Sequence, residues 1–148
     1  MIKNILVPVD GSGHAKKAVQ YASDLALKYN AGVHLIHVVH EPKIPEELLE
    51  YIKGENIKES PSYVYLQRIG QKIMGAAEKE VKDKGVKDVH TVVVEGDPAD
   101  MILDYARKAG TDMIVIGSRG LGKVESIVLG SVSNKVCHMA DCTCVTVK

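Results

Sequence analysis

The residues whose types and spacing suit chemistry are concentrated between Asp112 and Val136. An apolar run, Met113-Ile114-Val115-Ile116, leads directly into Gly117, Gly120 and Gly122, and a later pair, Gly130-Ser131, opens a helical pattern. Glycines let backbone N–H groups approach an anion with no Cβ in the way, and a helix N-terminus adds unpaired donors and a partial positive charge. The chemistry is phosphate binding. Arg119, by its charge and its place in this loop, is a candidate to swing toward a polyphosphate. Lys123 either touches phosphate as well or is a solvated loop charge.

Two glycine patterns overlap here. Gly117-x4-Gly122-Lys123 falls one residue short of a Walker-type P-loop, because Val124 stands where a Mg²⁺-binding Ser or Thr is required and valine cannot ligate the ion. Only one helical pattern and one strand pattern follow, too little to supply a second carboxylate strand. The other spacing, Gly117-x2-Gly120-x9-Gly130-Ser131, is complete. Other chemistries find less support. Cys137, Cys142 and Cys144 contain no C-x2-C pair, and two of them alternate along a strand pattern, which argues against a Cys/His metal site with His138. His14, His34, His37, His40, His90 and His138 show no i, i+4 metal-ligand pair and read as surface or strand residues.

The elements that must position these residues alternate along the whole chain. Strand patterns run over Lys3 to Val9, Val33 to Val39, Val89 to Glu95, Asp112 to Gly117 and Thr143 to Val147. Their near-continuous Val/Ile/Leu content predicts a parallel sheet covered by helices on both faces, built from right-handed βαβ units. A first helix begins after the N-cap Ser12 and buries Ala15, Ala18, Val19, Ala22, Leu25 and Ala26. A second, Tyr63 to Lys84, places Leu66, Ile69, Ile73, Ala76, Ala77 and Val81 on one stripe and stops at Gly85. A third has Asp97 as cap, Pro98 in the first turn and Gly110 beyond its end. The acidic stretch from Glu41 to Ser62, with a short helical pattern at Glu46 to Ile52, is longer than an ordinary βα loop and reads as a surface insertion or a lid.

Composition narrows the partners. The chain has 148 residues, the size of one domain, residues 1–148. Lys plus Arg and Asp plus Glu both number 19, and there are six Tyr with no Phe or Trp, so neither a basic track nor a stacking platform for nucleic acid is present. The apolar run at Ile5 to Val9 is too short for a membrane span or a signal-peptide core, and the three cysteines suit reduced thiols. A cytoplasmic protein is expected, with no membrane partner.

Beyond the glycine spacing, Ile5-Leu6-Val7-Pro8-Val9-Asp10-Gly11-Ser12, Leu35-Ile36-His37-Val38-Val39, Val94-Glu95-Gly96-Asp97-Pro98 and Cys144-Val145-Thr146-Val147 follow in order. With these segments the chain resembles the ATP-binding universal stress proteins over its whole length. The resemblance implies a doubly wound, Rossmann-like α/β domain with strand order 3-2-1-4-5. Ligand then sits where the order reverses, between the C-terminal ends of the first and fourth strands. It implies that Pro8, Val9 and Asp10 line the ribose and adenine side, that Val38 packs on adenine, and that Gly117, Gly120, Gly130 and Ser131 cradle phosphate, with Val132 and Ser133 completing the helix N-terminus. Asp10 then lies near the ribose hydroxyls or a Mg²⁺ carried by ATP, ADP or AMP. From the residues alone, Pro8 and Val9 could equally end a buried strand, Asp10 could serve only its own turn, and Val38 could be core. Leu121-Gly122 departs from the commonest family loop, which either loosens the phosphate grip or lets the loop close only around nucleotide. The resemblance also implies a homodimer paired through the last strand and a protein partner that reads the nucleotide state. No general base stands beside the phosphates, so binding with little turnover is expected, against a slow Mg²⁺-dependent ATPase or a structural dimer with a vestigial pocket.

Overall fold

The computed structural model describes residues 1–40, 61–121 and 129–148. The short helical pattern at 46–52, together with Gly122 and Lys123, lies outside the described residues. Strands β1 (Asn4–Pro8), β2 (Gly32–Val39), β3 (Val89–Glu95), β4 (Met113–Gly117) and β5 (Thr143–Val147) alternate with helices α1 (Gly13–Tyr29), α2 (Pro61–Asp83), α3 (Pro98–Lys108) and α4 (Ser131–Met139). Every pairing is parallel and the order is β3-β2-β1-β4-β5, as expected.

Period-two alternation divides the strand side chains between two cores. Ile5, Val7, Leu35 and Val115 face α1 and α2, where they meet Ala18, Ala22, Met74 and Val81. Leu6, Ile36, Ile114 and Ile116 face α3 and α4, against Ile102, Leu103 and Val136. All five residues of β4 are buried, whereas the edge strand β3 alternates between half-buried and exposed, because a central strand is covered on both faces and an edge is not.

The helices begin where their caps predict. Ser12 accepts from Ala15 N at 3.2 Å, and Asp97 accepts from Asp100 N at 3.1 Å with Pro98 in the first turn. The buried stripe of α2 differs from the expected one: Ala76 is exposed, Leu66, Ile69 and Ile73 are half-buried, and Gly70 and Met74 join Ala77 and Val81 on the inner line. Steps of four, three and four residues follow the sheet more closely than the run through Ala76.

The pairing of β1 with β4 positions the site. At its start the pair is clamped: Lys3 N and Asn4 N both donate to Asp112 Oδ2, at 2.8 and 2.9 Å. These two donors hold the Asp112 carboxyl below the usual carboxylate range. The paired register then covers only Ile5 with Met113 and Leu6 with Ile114, so the strands part before β4 ends. A crevice opens between their C-terminal ends, at the point where chain order reverses.

The first turn of α1 closes one side of that crevice by lying directly on Gly117. A Cβ there would stand 2.8 Å from the His14 carbonyl carbon and 2.9 Å from Ala15 N, backbone atoms that cannot rotate aside. Gly117→Ala is therefore expected to destabilise the fold by about 1–3 kcal/mol. Urea unfolding checks this, and a midpoint equal to that of the unaltered protein would contradict the packing role.

Candidate functional site

A cavity of about 440 Å³ fills the crevice, within the usual size range of small-molecule sites. All eleven residues singled out from the sequence line it: Pro8, Val9 and Asp10 from β1 and the turn after it, Val38 from β2, Gly117, Arg119 and Gly120 at the end of β4, and Gly130, Ser131, Val132 and Ser133 at the start of α4.

The cavity lining combines two chemistries. Val9, Ile36, Val38, Ile102 and Ile116 present aliphatic surface. The N-terminus of α4 lines the same cavity. There Gly130 stands at the N-cap with φ −68° and ψ 161°, and no side chain caps the helix. Gly130 N donates to Ser118 O at 2.7 Å, and the first intrahelical bond is Asn134 N to Gly130 O at 2.9 Å. The N–H groups of Ser131, Val132 and Ser133 precede that first bond and have no carbonyl four residues back within the helix. The caps of α1 and α3 are side-chain oxygens; at α4 the place is left to glycine.

Several groups hold this arrangement. The Ser133 hydroxyl is buried and donates toward Ser118 O and Gly130 O, both at 3.0 Å, so its hydroxyl binds the loop and leaves its N–H as the group at the helix end. Ser118 is itself buried, with its N–H on Val147 O at 2.7 Å and its hydroxyl sharing a 3.0 Å hydrogen bond with His14 Nδ1. The β4–α4 loop is thus anchored to β5 and to α1 together.

Asp10 serves its own turn and also borders the cavity. Its Oδ1 accepts from Ser12 N at 2.9 Å, which shapes its own turn, while the residue also lines the cavity. A Cβ on Gly120 would lie 2.7 Å from Asp10 Oδ2, so glycine lets the loop pass beside this carboxylate. The described residues contain no group of three or more His, Cys, Asp or Glu side chains placed to hold a metal ion.

The structure adds wall residues that sequence reasoning had assigned elsewhere or passed over. Pro98, first read as helix punctuation, and Ile102 bring α3 to the cavity. His37 was read as an ordinary strand residue. Its Nδ1–H donates to Val9 O at 2.7 Å, and α2 approaches the ring at Gly70, where a Cβ would be 2.7 Å from Cδ2. The available signal was positional: His37 stands at the C-terminal end of a strand next to the switch point. Leu121 borders the mouth and is largely exposed.

The model of the universal stress protein family matches residues 1–148. The chain belongs to that family. Universal stress protein YxiE of Bacillus subtilis is 32% identical over 159 residues, with all of both chains covered. The structure of universal stress protein UspA from Lactobacillus plantarum superposes with a TM-score of 0.83 at 24% identity, covering 99% of this chain and 97% of that one. Two more distant members share the fold at a TM-score of 0.68: one solved in complex with cAMP, 23% identical over 99% of this chain and 96% of its own, and one from Archaeoglobus fulgidus in complex with dAMP, 18% identical over 100% and 98%.

In this universal stress protein the ends of α3 and α4 that meet the cavity are also tied to each other. Lys135 Nζ lies 2.8 Å from Asp100 Oδ1 and 3.6 Å from Asp97 Oδ1. The Asp100 N–H, and then Lys135, hold the Asp97 carboxyl below its ordinary value. A depressed carboxyl stabilises the fold above its unfolded-state pKa and loses that effect as pH falls through the folded one. Asp97→Ala is accordingly expected to cost about 0.5–2 kcal/mol near neutrality, with the difference from the unaltered protein narrowing below about pH 4. Paired urea titrations near pH 7 and pH 3 measure it; a gap that stays constant would rule out the charged cap.

Proposed function

We propose that this universal stress protein binds an adenine nucleotide, ATP above others, and uses it as a regulatory ligand with little or no turnover. The observation that carries the reading is the uncapped N-terminus of α4 in a cavity that also presents the aliphatic side chains of Val9, Ile36, Val38, Ile102 and Ile116. Free N–H groups and helix polarity suit phosphates, and flat apolar surface suits a base. Two fold neighbours were solved with cAMP and with dAMP, which supports an adenylate as the ligand class.

In this reading adenine lies against Val38, Val9 and Ile102, the ribose hydroxyls approach Asp10, and the phosphates approach Gly130, Ser131 and the α4 amides. Arg119 adds positive charge along the phosphate chain. Mg²⁺ typically takes one or two protein carboxylates and completes its shell with nucleotide phosphates and water. Asp10 Oδ2 fits that role, and the ion arrives with the nucleotide. The cavity contains Asp10 as its only carboxylate among the described residues, and its Oδ1 is occupied by the turn. In this reading the nucleotide is held rather than cleaved. The nucleotide-bound surface is then what a partner protein reads.

The exposed edge of β5 suits antiparallel pairing with a second copy of the chain, which would cover its open hydrogen-bonding groups. Thr146 is exposed on that strand. Thr146→Lys is expected to shift the protein from dimer to monomer in multi-angle light scattering; a variant that remains dimeric would place the interface elsewhere.

Calorimetric titration with Mg²⁺ and ATP tests the site. A Cβ at Gly130 would make only ordinary contacts, 3.5 Å or more from its neighbours, so Gly130→Asp is accommodated and supplies a good N-cap. That carboxylate takes the α4 donors and repels phosphate, and affinity is expected to fall at least about 30-fold, equivalent to roughly 2 kcal/mol, with thermal stability preserved. ATP should be recovered intact from the wild-type mixture. Equal binding by both proteins would overturn the phosphate assignment, and ADP accumulating with the wild type would overturn the non-hydrolytic reading.

A further inference from the structure

The first turn of α1 touches the end of β4 twice through one residue. The backbone of His14 lies on Gly117, where a Cβ would stand 2.8 Å from the His14 carbonyl carbon. The half-buried side chain of His14 reaches one residue further, and its Nδ1 shares a 3.0 Å hydrogen bond with the Ser118 hydroxyl. His14 itself is not among the described residues that line the cavity. We propose that His14 is a positioning residue for the phosphate site: by holding Ser118 it fixes the carbonyl to which the N-terminal end of α4 is bonded.

Ser118 carries the connection. Its carbonyl oxygen accepts from Gly130 N at 2.7 Å and from the Ser133 hydroxyl at 3.0 Å, so one acceptor locates both the N-cap and the third residue of α4. The Ser118 N–H is fixed on Val147 O at 2.7 Å, which leaves the hydroxyl as the remaining handle. Ser118 is buried, and His14 is the partner the structure gives this hydroxyl. Without the imidazole the hydroxyl is orphaned, and a buried orphan is costly enough to favour a shifted, rehydrated loop. A site built on backbone amides works only when they are held to within about 0.5 Å of the productive geometry. The neighbouring contacts run the same way: the Ser12 hydroxyl lies 3.5 Å from Arg119 O, and Ser12 N donates to Asp10 Oδ1. The turn that begins α1 thus meets Gly117, Ser118 and Arg119 in succession.

Two consequences separate this bond from mere packing. Imidazole and hydroxyl can each donate or accept, so an amide side chain, whose polar atoms stand near the place of Nδ1, can replace the imidazole. The two partners are also coupled: once one is gone, losing the other removes nothing more. The ligand part of the inference rests on the adenine nucleotide reading above, whereas the loop part concerns the chain alone.

The test uses the full chain with His14→Ala, His14→Asn, Ser118→Ala and the double variant His14→Ala/Ser118→Ala. In the ligand-free protein, amide hydrogen exchange followed by NMR is expected to speed up at least about tenfold at Gly130 and Ser118 in His14→Ala, with Leu35 and Ile36 of β2 unchanged, and to return to within about threefold of the wild type in His14→Asn. Calorimetry with Mg²⁺ and ATP is expected to show affinity falling at least about tenfold in His14→Ala and recovering in His14→Asn, with the double variant no weaker than the weaker single one. Unchanged exchange in His14→Ala, an asparagine variant as loose as the alanine variant, or losses that add in the double variant would each overturn the proposal. Faster exchange with unchanged affinity would overturn the role at the phosphate site. A wild type that binds no nucleotide would overturn the adenylate reading instead, and exchange alone would then decide on His14. Should His14→Ala fail to fold, Ser118→Ala, which leaves no orphaned hydroxyl, takes its place and must loosen the Gly130 amide in the same way.

Discussion

The unequal pairing of β1 with β4 is the constraint on which the site depends. Asp112 draws the two strands together at their starts by accepting from two successive backbone amides of the first strand. Beyond Leu6 and Ile114 the register ends, and the separated ends leave room that side chains from both strands, α3 and α4 then line. In a parallel sheet whose chain order reverses at β1 and β4, the connections leave on opposite faces, so no crossover fills the gap. The cavity follows from topology, and its chemistry from what stands at the strand ends.

The glycines around this gap serve different physical ends. Gly117 makes room for the first turn of α1, and Gly120 makes room for the Asp10 carboxylate. Gly130 meets neither limit: its φ is ordinary and a side chain would fit. Its value lies in leaving the amides of α4 uncapped, at a position where Ser, Asp or Asn would take them. One spaced pattern of glycines therefore contains two packing positions and one position kept open, a distinction that bears directly on how substitutions there are interpreted.

The neighbouring network is polar and mutually satisfied. Ser118 meets Val147, His14, Gly130 and Ser133 through its backbone and side chain, so the loop after β4, the last strand and two helices share one anchor. Buried hydroxyls that are fully bonded hold geometry at low cost, whereas a half-satisfied set would be destabilising. The same anchor links the helix end at the cavity to β5, whose outer edge is the proposed meeting place of two chains.

Much of the fold was legible in the sequence because its signals are short-range. Apolar runs of β-branched residues, Ser12 and Asp97 before helical patterns, and the glycine spacing between Gly117 and Gly130 each act within a few residues. Together they determined the elements and their order, and the resemblance to the universal stress proteins added the eleven candidate residues that the fold brings to one cavity. What only the tertiary structure decided concerns atoms that meet across the chain. Gly70 and Met74 join the buried line and Ala76 leaves it because the sheet sets the exact face of α2; His37 reaches the wall because Val9 and Gly70 position it; Ser133 turns its hydroxyl inward to a carbonyl fifteen residues away. Periodicity specifies which residues share a face, but the partner of that face is set by non-local packing, where a rotation of one residue exchanges wall for core.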